Sequence, residues 1–307
     1  MACLAGATVS FDKAQHLLHQ LCGWTVSDET LRHVCYHEAQ QVRAWRGQPE
    51  ASRETFQKAD GDIELQIDAA KVNTDTGWRD IKIGIFAKRP AGQPSTPDDY
   101  QTRVLPPPSV RVAFCAIEPS AEFGVRTRPW ATTLALVGTT LLSVLGDGAE
   151  WIWEIAKEHF PGARQLLDLW HALDHVSQAS AVLYGPGSAA GKAWQKEMAL
   201  ALLRDGWTGL CAAVGQAVAL HPDGPAREAL DKLVAYFAKH LPRWNYGARL
   251  YKGPSVGSGM VEGAVKTVIG QRLKAHAARW QVGNVELMGE LCCLAYSDTW
   301  DAYWLAV

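Results

Sequence analysis

The chain has 307 residues, of which 48% are hydrophobic and 20% charged, enough apolar content to fill one large or two ordinary domains and to exclude disorder over most of its length. Its formal charge of -2 gives, as an average, no sign of a nucleic-acid or membrane partner. The longest apolar run, about 130 to 146, is too short to span a bilayer, and the start lacks a basic signal region, so a cytoplasmic protein with no membrane partner is expected. Seven cysteines (3, 22, 35, 115, 211, 292 and 293) form no CxxC pair and predict mostly buried, reduced thiols with neither a disulfide framework nor a zinc site. Thirteen tryptophans are many for this length.

From Ser10 to about Gly47 the pattern is helical. Phe11, Ala14, Leu17, Leu18 and Leu21 share one face, Gly23 breaks the run, and Ser27 caps a second helix that opens on Asp28 and Glu29 and carries Leu31, Val34 and Tyr36. This fits a helix-turn-helix with Arg32, Arg43 and Arg46 as DNA contacts, and equally a plain helical hairpin, since residues 1–60 hold six basic and seven acidic side chains. From Asp62 the period becomes two. Ile63, Leu65 and Ile67, then Ile81, Ile83 and Ile85, predict a hairpin turning at 75–77, and 110–117 a third strand after a Pro-rich loop. A helix over 120–137, a strand over 141–145, a helix over 151–160, a strand over 164–167 and a helix from Asp168 follow. That order, βββαβαβα, is the succession of the ribonuclease H-like fold, an α/β mixed sheet. Residues 188–252 read as an all-helical insertion. The division expected is therefore 1–58 helical, 59–187 first part of the core, 188–252 insertion, and 253–307 the helical remainder of the core.

Three acids stand at informative places: Asp68 in the first strand, Asp147 after the fourth, and Glu262 near the start of a late helix. Carboxylates gathered within a few ångströms repel unless cations neutralise them. Two Mg²⁺ ions, typically roughly 3.5 to 4 Å apart, do so while holding a scissile phosphate. Taken singly, each acid is weak: a strand Asp, a Gly-Asp-Gly turn and a Glu262–Lys266 helix pair are common structural features. Charge segregation supports them together. Between Lys239 and Gln281 stand eight basic residues (Lys239, Arg243, Arg249, Lys252, Lys266, Arg272, Lys274 and Arg279) and one acid, Glu262, leaving 22 basic and 31 acidic residues elsewhere. A polyanion partner explains such a segment through phosphate contacts, with Lys252, Lys266, Arg272, Lys274 and Arg279 as the DNA contacts and Trp244 or Trp280 as stacking candidates.

Four blocks, in order, carry a resemblance: LQIDAAKVNTDTGWRDIKIGIFAKR (65–89), VLGDGAEWIWEIAKEHFPGARQLLDLWHALDH (144–175), GSGMVEGAVKTVIGQRLKAHAARW (257–280) and SDTWDAYW (297–304). The chain resembles the DDE transposases of the ISKra group of bacterial insertion sequences. The resemblance implies a ribonuclease H-like core whose catalytic, metal-holding acids fall on Asp68, Asp147 and Glu262. It implies Mg²⁺, with Mn²⁺ as substitute, and terminal inverted repeats and target DNA as partners. A homodimer or higher oligomer in the synaptic complex and association with the nucleoid follow from it too. Asp168 and His171 belong to the same pattern, as auxiliary groups near the metals or as a helix cap and a packed histidine. Relatives carry an upstream cysteine-containing region, whereas this chain begins almost at the helical segment. A second expectation is therefore a shortened, inactive derivative that only binds DNA. The loop 185–192 departs from a phosphate-binding P-loop at Pro186 and Ala193, and Ser258 has no His-Asp pair nearby in sequence.

Overall fold

The computed structural model describes residues 1–46 and 50–307, without the side chains of residues 46, 50–52 and 276. The side chain of Arg46 and the expected helix end at Gly47 lie outside the described residues. A short helix α1 (Ala2–Thr8), not expected from the sequence, precedes α2 (Phe11–Cys22) and α3 (Asp28–Arg46). Ser10 accepts from the Lys13 N–H and Ser27 from the Thr30 N–H, capping α2 and α3, and Gly23 ends α2 in the left-handed conformation. Leu31, Cys35, Ala39 and Val42 line the buried face of α3. Helix α4 (Glu50–Lys58) leads into the sheet.

The period-two stretches form β1 (Asp62–Thr74) and β2 (Gly77–Arg89), longer at both ends than their apolar residues suggest, and β3 (Val110–Ala116) follows the Pro-rich loop. Helix α5 (Ser120–Thr133) stops short of the expected residue 137 because the chain turns through Ala135 (φ 56°) and Gly138 (φ 77°). Then come β4 (Ser143–Gly146), α6 (Glu150–His159), β5 (Arg164–Leu167) and α7 (Leu169–Tyr184). The five strands make one mixed sheet in the order β3-β2-β1-β4-β5. Strands β1, β2 and β3 pair antiparallel, while β1, β4 and β5 run parallel. The fold is thus α/β.

Apolar side chains leave both faces of the sheet. Leu65, Ile67, Phe86, Val112 and Phe114 pack with α5, α6 and α7, whereas Ile81, Ile83, Ile85, Ala113 and Cys115 meet helices from the two ends of the chain. Between them, residues 188–252 hold α8 (Ala189–Leu220, kinked at Gly206), α9 (Gly224–Lys239) and α10 (Tyr246–Lys252). The chain then returns as α11 (Gly259–Ala264), a π-helical segment (Val265–Leu273), α12 (Val282–Tyr296) and α13 (Trp300–Ala306). No described helix is long and apolar enough to cross a membrane.

Candidate functional site

Three aspartates lie side by side where the parallel strands end. Gln66 is opposite Leu145 and Leu145 is opposite Leu166, so two further residues along β1 and β4 bring Asp68 beside Asp147, with Asp168 next in the row. Leu65 and Ile67 point into one core, so alternation sends Gln66 and Asp68 to the opposite face, where α11 lies. Gln66 Oε1 accepts from the Val261 N–H at 3.1 Å, which ties the start of α11 to β1 one residue before Glu262.

Electrostatics registers this convergence. The Asp68 carboxyl is pushed up to about 6, first by burial, with the Asp147 and Glu262 carboxylates adding to the effect and the Ala69 N–H and His171 opposing it. Asp68 Oδ1 accepts from Ala69 N at 2.6 Å and Asp147 Oδ1 from Ala149 N at 2.9 Å, so each carboxylate is oriented by one backbone amide and keeps its other oxygen. Glu262 lies with Oε1 3.8 Å from Nε2 of His171, across the site, whereas Lys266 falls on the π-helical segment that follows α11. Both side chains are more than a third exposed, at 34% and 40%, so the pair is open to a ligand.

Asp168 has another task. It is fully buried and caps α7, with Oδ1 accepting from Trp170 N at 2.6 Å and His171 N at 2.9 Å. Its Oδ2 accepts from the Ser258 N–H and from the Ser258 hydroxyl, the latter at 2.7 Å. Four donors thus occupy its two oxygens, which makes it a clamp between the helix that carries His171 and the loop that delivers Glu262. Gly257 keeps the same junction tight, since a Cβ there would lie 3.0 Å from Trp170 Cδ1 and 3.1 Å from Asp168 Oδ2 and would press on both.

The insertion reaches the site as well. Gly148 adopts φ 103°, which favours glycine, and packs close to the insertion: a Cβ would stand 3.0 Å from Tyr236 Oη of α9 and 3.1 Å from Leu167. Tyr236 stacks on His175 with ring centroids 3.6 Å apart, and its hydroxyl is raised above the usual range by burial and then by Asp147 and Asp168. Burial, the cations Arg243 and Lys239, and the neighbouring His175 push His240 down to about 4. Tyr236 and His240 could not be picked from sequence, because they stand far along the chain from the acids; Gln66 and Ser258 lie two and four residues from Asp68 and Glu262, but their contacts, to Val261 and Asp168, cross 195 and 90 residues of chain.

The expected DNA contacts divide. Lys252, Lys266 and Lys274 are exposed, and Arg279, also exposed, donates to the carbonyls of Thr74 and Asp75 at the hairpin turn. Arg272 is a correction: it is 4% exposed, donates to the Gly6 carbonyl at 2.6 Å and lies over the Phe11 and Trp280 rings, so it is a core residue and not a DNA contact. Trp280 is likewise buried, its Nε1 donating to the Leu273 carbonyl at 2.7 Å, which removes it as a stacking candidate. Arg32 pairs with Glu29 at 3.1 Å and Arg43 stands 3.8 Å from Glu290, so carboxylates offset both cations on α3. No protein-family model and no curated protein matches the chain.

Proposed function

We propose that the chain is a DDE-type transposase like those of the ISKra group, with a ribonuclease H-like core, and that it cuts insertion-sequence ends and joins them to target DNA. The observation that carries this reading is the convergence of Asp68, Asp147 and Glu262, from two parallel strands and a returning helix, on one partly open end of the sheet. The strand order supports the fold assignment.

The donor set is all carboxylate oxygen with one imidazole, the chemistry that Mg²⁺ and Mn²⁺ accept. Among the described residues no three such groups stand close enough to enclose an ion as they are placed, so binding requires side chains of this set to shift. Bound there, the metal would supply Lewis-acid stabilisation and a nucleophile at neutral pH.

The chain's own residues do the rest. Backbone amides of Ala69 and Ala149 fix the two aspartates, and the clamp of Asp168 on Ser258 fixes the approach of Glu262. His171, on the other side of Glu262, is placed to hold a phosphate oxygen or the proton of an attacking group. Water oxygen forms a bond to phosphorus while the bond to the 3′ oxygen breaks, the electron pair and a proton ending on the freed 3′-hydroxyl. In the joining step that hydroxyl attacks a target phosphate and displaces the target's own 3′ oxygen.

A plasmid carrying the DNA that flanks the coding sequence on both sides tests this without knowledge of the end sequence. With Mg²⁺ or Mn²⁺ the protein is expected to release ends bearing 3′-hydroxyls and to join them to a second plasmid. Tight binding of that DNA with no metal-dependent cleavage or joining would overturn the catalytic reading in favour of a DNA-binding derivative.

A further inference from the structure

At the other end of β5, away from the acids, lies a cavity of about 720 Å³ between the strand's outer edge and α10. Strand β5 is the last of the sheet and pairs only with β4, so this side of it is uncovered by any strand. Arg164, Arg243, Arg249 and Lys252 line the cavity, together with Gln165 and Trp244, and no carboxylate is among its lining residues.

The walls fix two of these cations. Arg243 donates through Nε to Gln165 Oε1 at 2.8 Å and stacks over Trp153 at 4.7 Å. Arg249 donates through Nε to the Ser255 carbonyl at 2.7 Å, while its buried second terminal nitrogen finds no acceptor. The indole N–H of Trp244 is a second buried donor without a partner. The other two cations, Arg164 and Lys252, are exposed at the mouth. Burial lowers Arg249, the carboxylates of Glu64 and then Asp62 oppose this, and Arg164 and Arg103 add smaller lowering contributions. Four like charges around one cavity are stabilised by an anion, and guanidinium forks suit phosphate oxygens.

Arg164 is four residues from Asp168, so along β5 the Arg164 end of the cavity lies about 13 Å from the clamp at the acid end. We infer that this cavity is a second DNA contact, holding backbone phosphates of the duplex at a distance from the bond being cut. The inference rests on the proposed function for its ligand. It explains why a strand edge, usually protected against pairing with other chains, is bordered here by fixed arginines.

Fluorescence anisotropy of the full chain with a labelled duplex from the flanking DNA, over a series of NaCl concentrations without divalent metal, tests it. Replacing the two exposed cations, Arg164→Gln with Lys252→Gln, is expected to weaken binding about tenfold or more and to reduce the slope of log K against log salt by roughly 2. Lys58→Gln, a change at an exposed cation of α4 outside the cavity, is expected to bind as the parent does. A double variant with the parent's affinity and slope would overturn the second contact and leave the proposed function standing. A parent chain with no affinity for the duplex would overturn both.

Discussion

Asp68 carries a stability cost, when ionised, that protonation or a bound cation relieves. Its carboxyl titrates near 6 in the folded chain and near 3.8 in the ordinary state, so the fold binds this proton more tightly than the unfolded chain does. Its contribution is therefore complete below about pH 4 and is lost as pH rises through 6. Urea unfolding of the metal-free protein should show stability declining over this interval, and Asp68→Asn should flatten the decline. At pH 8 that variant should be more stable than the parent by on the order of 1–2 kcal/mol while losing cleavage. Millimolar Mn²⁺ should stabilise the parent more than the variant. Asp168 holds the site together, because its buried oxygens serve four donors. Asp168→Ala should cost about 3 kcal/mol or more, and Ser258→Ala about 1–2 kcal/mol, since the first strands several buried donors and the second removes one charge-assisted bond. Chemical denaturation gives both values; cleavage by Ser258→Ala should fall at unchanged DNA affinity, which separates positioning of Glu262 from binding.

Elements read well where one physical signal sets them. Strands β1 and β2 announce themselves by alternation, β5 ends where Asp168 caps the next helix, and the small residues before Glu262 mark a tight approach. Contacts between distant elements left no such trace. A run of basic residues looks uniform in sequence, yet Arg272 sits on the π-helical segment where its guanidinium meets Gly6 of α1, an element the apolar spacing does not announce. Asp168 was ambiguous between auxiliary acid and cap, because nothing in its neighbourhood reveals Ser258, ninety residues on. At the element scale, Gly148→Ala should strain a backbone at φ 103° and press on Tyr236, costing roughly 1–3 kcal/mol and lowering cleavage. Near-UV circular dichroism of the Tyr236–His175 stack, beside an unfolding curve, checks it.

Across the whole molecule, the near-neutral total resolves into +7 over residues 239–281 and -9 over the remainder. Folding distributes the positive part unevenly: Arg272 goes to the core, Lys266 and Lys274 to the surface near the returning helices, and Arg243, Arg249 and Lys252 to the cavity beside β5. The acids occupy one end of the parallel strands and that cavity borders the other, so a duplex engaging both would run along the β5 side of the sheet. The insertion helices complete the arrangement, α9 closing the Gly148 turn and α10 forming a wall of the cavity.

The most direct measurement of the central claim is the single-turnover rate of end cleavage in Mg²⁺ for Asp68→Asn, Asp147→Asn and Glu262→Gln beside Asp174→Asn, a change at an exposed acid of α7. Each of the three should lose about a thousandfold or more while binding DNA like the parent, and Asp174→Asn should stay within about twofold. Parental cleavage by any of the three, or an equal loss in the Asp174 variant, would contradict the assignment of these carboxylates as the catalytic centre.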